Sequence, residues 1–203
     1  MYSEDLPGSP WPQDMQINVE ECWSPLTFLL FVRSAWNLEI DSVPRLDSEP
    51  DPGTSRRPVD LDVNAAVERW LAEWSRAWTH FDAAGPSVGM PDEEIRRLLD
   101  TLTDEELWAA TSNSTWPSDF WNSGIDDEAY GMWRTTMPAP LGALPENLVV
   151  PALVAAWQGG LTTIIQLPYL GFFAQRINRE HLVVSRTTRN DPEMLALALA
   201  LEA

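Results

Sequence analysis

The chain has 203 residues, of which 13 are basic and 31 acidic, giving a formal net charge of −18 and a pI near 4.2. Every basic residue is arginine, which excludes a P-loop lysine, a Schiff-base lysine and a Ser-Lys dyad. So anionic a molecule repels phosphate, so neither nucleic acid nor an anionic membrane is an expected partner; a basic protein is.

At about 150 residues per domain, a single domain over 1–203 is expected. Hydrophobic residues make up 44% of the chain, including 11 tryptophans, enough for a substantial core. Cys22 is the only cysteine, so no intrachain disulfide can form. The start is acidic and proline-rich, unlike a signal peptide. The apolar run at 26–32 is far shorter than the about 20 residues of a membrane span. A cytoplasmic protein is therefore expected. Arginine in place of lysine fits a GC-rich, bacterial genome, because lysine codons are A-rich.

Residues 1–24 carry Pro7, Pro10 and Pro12 among scattered charge and read as a loose arm that packs through Trp11 and Trp23. Residues 25–40 are apolar. Pro25 after Ser24 supports a helix, the Phe and Val content supports a strand, and the stride of Leu26, Leu29, Leu30, Arg33 and Trp36 tips the balance to helix. Residues 41–61 hold four prolines, Pro44, Pro50, Pro52 and Pro58, with Gly53 and several acids among them, and read as a linker that is either mobile or wrapped over the surface.

The clearest helix covers 64–82. Val67, Trp70, Leu71, Trp74, Ala77, Trp78 and Phe81 form one apolar stripe, while Glu68, Arg69, Glu73 and Arg76 fall largely opposite, with Arg69 and Glu73 spaced to pair. Asp62 or Asn64 is the expected cap and Gly85-Pro86 the stop. Shorter helices are expected from Pro91 and from Thr103, where Thr103 and Glu106 form a capping box. Residues 112–146 are irregular, and an apolar helix follows over 146–157. A strand is expected at 161–167, then a hairpin of 171–177 with 181–187, with a short helix over 171–180 as the alternative, and a closing helix from Asp191 capped by that residue. The fold expected is α+β: a mainly helical body, a small antiparallel sheet near the C-terminus and a closing C-terminal helix.

Charge is unevenly spread. In 161–203 four arginines balance four acids, so the whole deficit lies earlier. Arg176, Arg179, Arg186 and Arg189 are candidates to grip a carboxylate or phosphate, unless they dock onto the protein's own acids. Asp126 and Asp127, with Glu128, follow Asn122-Ser123-Gly124, but the alternating ligand positions of an EF-hand loop are missing, so a solvated turn or helix start is the plainer reading. His80 and His181 lack metal-ligand spacing and could meet Cys22 only by distant convergence. No metal and no cofactor is expected. Trp70, Trp74 and Trp78 belong to a core stripe, whereas Trp116, Trp121 and Trp133 lie among prolines and glycines where binding loops occur.

These features lead to a non-enzymatic, acidic interaction protein of the inhibitor, immunity or chaperone type. The alternative is a small hydrolase or transferase, with Arg176 or Arg186 holding an anionic substrate and Asp126, Asp127 or His181 moving protons.

Overall fold

The computed structural model describes residues 11–22, 24–82, 124–138 and 145–202. Its centre is built by two short apolar segments, Thr163–Leu167 (β2) and His181–Ser185 (β4), which read TIIQL and HLVVS. Successive side chains face opposite sides of a strand. Ile165, Leu167 and Val183 enter one core, and Ile164, Leu182 and Val184 enter another. Strands covered on both faces need no polar alternation.

The two pair in parallel, with Thr163 opposite His181 and Leu167 opposite Ser185. Asn18–Glu20 (β1) pairs parallel to β2, and Ala174–Arg176 (β3) pairs antiparallel to β4, giving the order β1-β2-β4-β3. The α+β class therefore holds, but the sheet is mixed, where an antiparallel one was expected. The hairpin is present and ends earlier than expected. Ser185 Oγ accepts from the Thr188 N–H at 3.0 Å and starts a short helix, Arg186–Asn190, so 186–187 are not strand.

Part of the N-terminal arm is built into the fold. Besides β1, Met15 and Ile17 are buried in the second core and Trp11 packs against it. The 41–61 segment forms neither helix nor named strand, as its prolines dictate, yet it is fastened to the body. Val43 and Leu46 are buried, the Asp47 N–H donates to Pro168 O at 2.9 Å, and the Leu170 N–H donates to Arg45 O at 2.8 Å.

One face of the sheet is covered by the helix Ser24–Ala35 (α1). Residues 25–33 are buried without exception, so α1 is apolar all round, as a helix enclosed by protein must be. It closes with Asn37 at φ +51, while Leu38 N–H reaches back to Arg33 O at 2.8 Å and Asn37 N–H to Ser34 O at 3.0 Å. That left-handed closure suits asparagine, which tolerates positive φ.

The long helix Val63–Asp82 (α2) lies on α1 through Ala66, Trp70, Ala77 and Phe81. Asp62 caps it, accepting from the N–H groups of Asn64 (2.8 Å) and Ala65 (3.2 Å). Trp70 is fully buried and its Nε1–H donates to Leu29 O at 2.7 Å. Leu71 sits at the stripe's edge and is exposed, and Glu73 pairs with Arg76.

The helix Asp127–Arg134 (α3) also packs on α1: the Tyr130 ring meets Phe28 and Phe31, and Trp133 lies 5.8 Å from Phe31. The other face of the sheet is covered by Val150–Gln158 (α4) and Pro192–Leu199 (α6), with Arg186–Asn190 as α5 between β4 and α6. Leu153, Ala156, Leu195 and Ala198 fill that second core. The helices expected from Pro91 and Thr103 lie outside the described residues.

Candidate functional site

The four C-terminal arginines do not form one cluster. Arg189, on α5, is 3% exposed. It donates to Glu146 Oε1 at 2.6 Å and Gln166 Oε1 at 3.1 Å, and also to Glu21. One guanidinium thus ties the N-terminal segment, the single helical turn Pro145–Leu148 and β2 to the end of the chain. Burial acts to lower its pKa, but the bonds to Glu146 and Glu21 outweigh it and hold the group above its usual value. Arg186 is half-buried with Nε 3.6 Å from Asp47 Oδ2, an ion pair that also pins the 41–61 segment. These two arginines are turned onto the protein's own acids.

Arg176 and Arg179 stay together. Arg176 Nε donates to Asn178 O at 2.9 Å and its Nη2 to Arg179 O, and Arg179 Nε donates to Gly159 O at 3.0 Å, just past the end of α4. Gly160, at φ +107, makes room: a Cβ there would overlap the Arg179 side chain. Both guanidiniums border a cleft of about 390 Å³ between α4 and α6.

Asp126 is a helix start. Its Oδ1 accepts from the Glu128 and Ala129 N–H groups, both at 3.1 Å, and caps α3. Its Oδ2 accepts from the Thr54 N–H at 2.9 Å and the Thr54 hydroxyl at 2.8 Å. The backbone bond from Thr54, then that from Ala129 and the Thr54 hydroxyl, pull its pKa down to about 2. Such a carboxylate is ionised and already saturated with donors, which suits a staple and not a base. Asp127 lies exposed in the first turn of α3. Trp133, expected at the surface, is core, because the segment after Gly124 is helical and turns it onto Phe31. Trp116 and Trp121 lie outside the described residues, as do the His80 and Asp82 side chains.

His181 is buried, with Nδ1 3.0 Å from Asn178 Oδ1 and its ring 5.2 Å from Phe81. Among the described residues no three His, Cys, Asp or Glu side chains converge to hold a metal, and no helix is long and apolar enough to cross a membrane.

The surface that stands out was not singled out by sequence reasoning. A groove of about 950 Å³ runs between the end of α1 and the start of the 41–61 segment, and carries Glu39, Asp41 and Glu49. All three are exposed. Arg45 is exposed on the same groove, whereas Arg33 is turned inward: it is buried and donates to Val43 O (3.2 Å) and Pro44 O (3.0 Å). Burial lowers the pKa of Arg33 despite the opposing pull of Tyr169 and Glu49.

Val43 and Pro44 also wall a second cavity of about 370 Å³, lined by Trp74, Trp78, Tyr169 and Phe173. Its rings meet edge to face, Trp74 with Trp78 at 85° and Tyr169 with Phe173 at 74°. The available signal was the acid spacing inside the proline-rich segment, together with Trp74 and Trp78 lying toward the edge of the α2 stripe. Comparisons of the chain with protein-family models, with characterised proteins and with solved structures gave no match.

Proposed function

We propose that this protein is a non-enzymatic interaction protein, of the inhibitor, immunity or chaperone type, whose acidic groove receives a basic protein partner in the cytoplasm. One observation carries the reading: along the groove three exposed acids, Glu39, Asp41 and Glu49, stand against one exposed cation, Arg45, while Arg33 on the same groove is turned inward. Arg33, Arg186 and Arg189 are bound to carbonyls or carboxylates of the protein itself, while Glu39, Asp41, Glu49 and Asp51 are exposed, Glu49 accepting from the Ser34 hydroxyl and Asp51 from the Gly53 N–H. The aromatic cavity across Val43-Pro44 supplies what an acidic surface alone lacks, an apolar anchor point beside the charge. Complementary fields speed such encounters by about 10-fold to 1000-fold and make them salt-sensitive.

The hydrolase or transferase alternative needs Arg176 or Arg186 beside Asp126, Asp127 or His181. None of the three cavities described brings such a set together.

The test is capture from a lysate of the native host at low and at high salt, with the wild-type chain and with the variant Glu39→Gln/Asp41→Asn/Glu49→Gln. A basic protein retained at low salt, released at high salt and lost by the variant is the expected result. Capture of no basic protein, or equal capture by the variant, overturns the reading.

A further inference from the structure

We propose that the cleft between α4 and α6 is a binding site for a small monocarboxylate with a short unbranched apolar tail, distinct from the acidic groove. The cleft is walled by Ala152, Ala155 and Ala156 of α4 and by Ala196 and Leu199 of α6, with Leu201 and Glu202 at its border. Its volume of about 390 Å³ falls within the range of small-molecule sites. Alanine on both helices leaves the slot open, since a larger side chain at these positions would project into it.

The charge at the cleft argues for an anion. In a molecule of net charge −18, Arg176 and Arg179 both line this cleft and make no ion pair among the described residues. Their described bonds are all to neutral carbonyls, through Nε of both and Nη2 of Arg176. Arg176 Nη1 and both Nη groups of Arg179 therefore remain as donors. Glu202 borders the cleft but lies beyond ion-pair distance of either guanidinium. Burial without a counter-anion also holds Arg176 below its usual pKa.

Two arginines on one cleft offer charge-assisted donors to the oxygens of a carboxylate. The walls offer methyl and methylene groups, which select an apolar tail over a sugar or a second charged group. The strongly anionic body disfavours a polyanion such as a diphosphate, so a single negative charge fits best.

The probe is octanoate, titrated into the isotope-labelled full chain and followed by amide NMR shifts and calorimetry. Acetate, which lacks the tail, and octylammonium, which reverses the charge, serve as controls. Saturable 1:1 binding of octanoate is expected, with shifts centred on Ala155, Gly159 and Ala196 and neither control binding comparably. Arg176→Gln/Arg179→Gln should weaken binding by about tenfold or more, the scale of one lost charge-assisted bond. Because that variant also loosens the turn at 178–180, a second variant, Ala155→Leu, narrows the cleft at an exposed helical position. It should weaken binding by a similar factor with an unchanged circular dichroism spectrum. Absence of saturable octanoate binding, equal binding of octylammonium, binding unaffected by Ala155→Leu, or shifts explained by self-association across the cleft would each overturn the assignment. The acidic groove is untouched by both variants, so failure here leaves the proposed function standing.

Discussion

Replacing Arg189 by methionine tests the claim that this guanidinium is committed to the protein's own acids. Arg189 and the Glu146 side chain are 3% and 2% exposed, and Glu146 Oε1 receives the Arg189 Nε–H at 2.6 Å. Its second oxygen, Oε2, has no hydrogen-bond partner, so the arginine supplies the carboxylate's compensation. Removing one member of a buried pair leaves an uncompensated charge and costs about 3–5 kcal/mol.

Glu21 is about a quarter exposed and can turn to water, so the loss concentrates on Glu146. For a chain of this length, about 2–4 °C is lost per kcal/mol, which puts the expected fall in Tm at about 6–20 °C. Glu146→Gln alone leaves Arg189 its bonds to Glu21 and Gln166 and should cost less, about 1–3 kcal/mol. In the double variant Glu146→Gln/Arg189→Met the stranded charge is gone. Its cost should fall below the sum of the single costs by about 0.5–3 kcal/mol. Urea denaturation followed by circular dichroism measures all three. A cost for Arg189→Met below about 1 kcal/mol, or additive single and double variants, would refute the reasoning.

Two further outcomes follow from the 41–61 segment and its anchor. Gly124 sits at φ +88, a Cβ there would overlap the Arg56 carbonyl oxygen, and the Arg56 N–H donates to Gly124 O at 2.7 Å, so Gly124→Ala should destabilise by more than about 1 kcal/mol in the same assay; a neutral substitution would contradict the close approach of these two segments. Asp126, with its carboxyl held down at about pKa 2, contributes stability that is complete above its ordinary value near about 4 and is lost as pH falls toward 2. The stability gap between wild type and Asp126→Asn should therefore be widest above pH about 4 and narrow below it. A gap constant across that window would mean the carboxylate's charge plays no part.

Much of the architecture was legible because local signals agreed with the tertiary result. Asp62 and Asp191 cap where capping residues precede apolar stripes, each accepting from the N–H groups two and three residues on. β1 was illegible: Asn-Val-Glu carries no pattern, and its partner β2 lies some 145 positions away by pairing of Asn18 with Thr163. The parallel pairing left a trace, since TIIQL and HLVVS lack the alternation of a half-exposed antiparallel pair, but hairpin spacing favoured the wrong inference. That spacing does hold for β3 with β4. The ambiguity of 25–40 has a physical origin too, because a helix buried on every side has no polar face to mark its period.

The candidate site was less legible because orientation decides it. Asp126 and Glu39 are both acids in irregular surroundings, yet one saturates its oxygens with N–H and O–H donors and the other faces solvent. Arg189 and Arg179 stand ten residues apart, one sealed on two carboxylates and the other beside an open cleft. Only the path of the chain separates these roles. Trp133 shows the same point, since its flanking glycines suggested a loop and Asp126 in fact starts a helix there.

The most direct test of the acidic groove is the association rate constant of the captured basic partner, measured by stopped flow across a range of salt concentrations. A steep fall with ionic strength is expected for the wild type and a much shallower one for Glu39→Gln/Asp41→Asn/Glu49→Gln. A rate independent of salt, or one falling equally in both proteins, would contradict it.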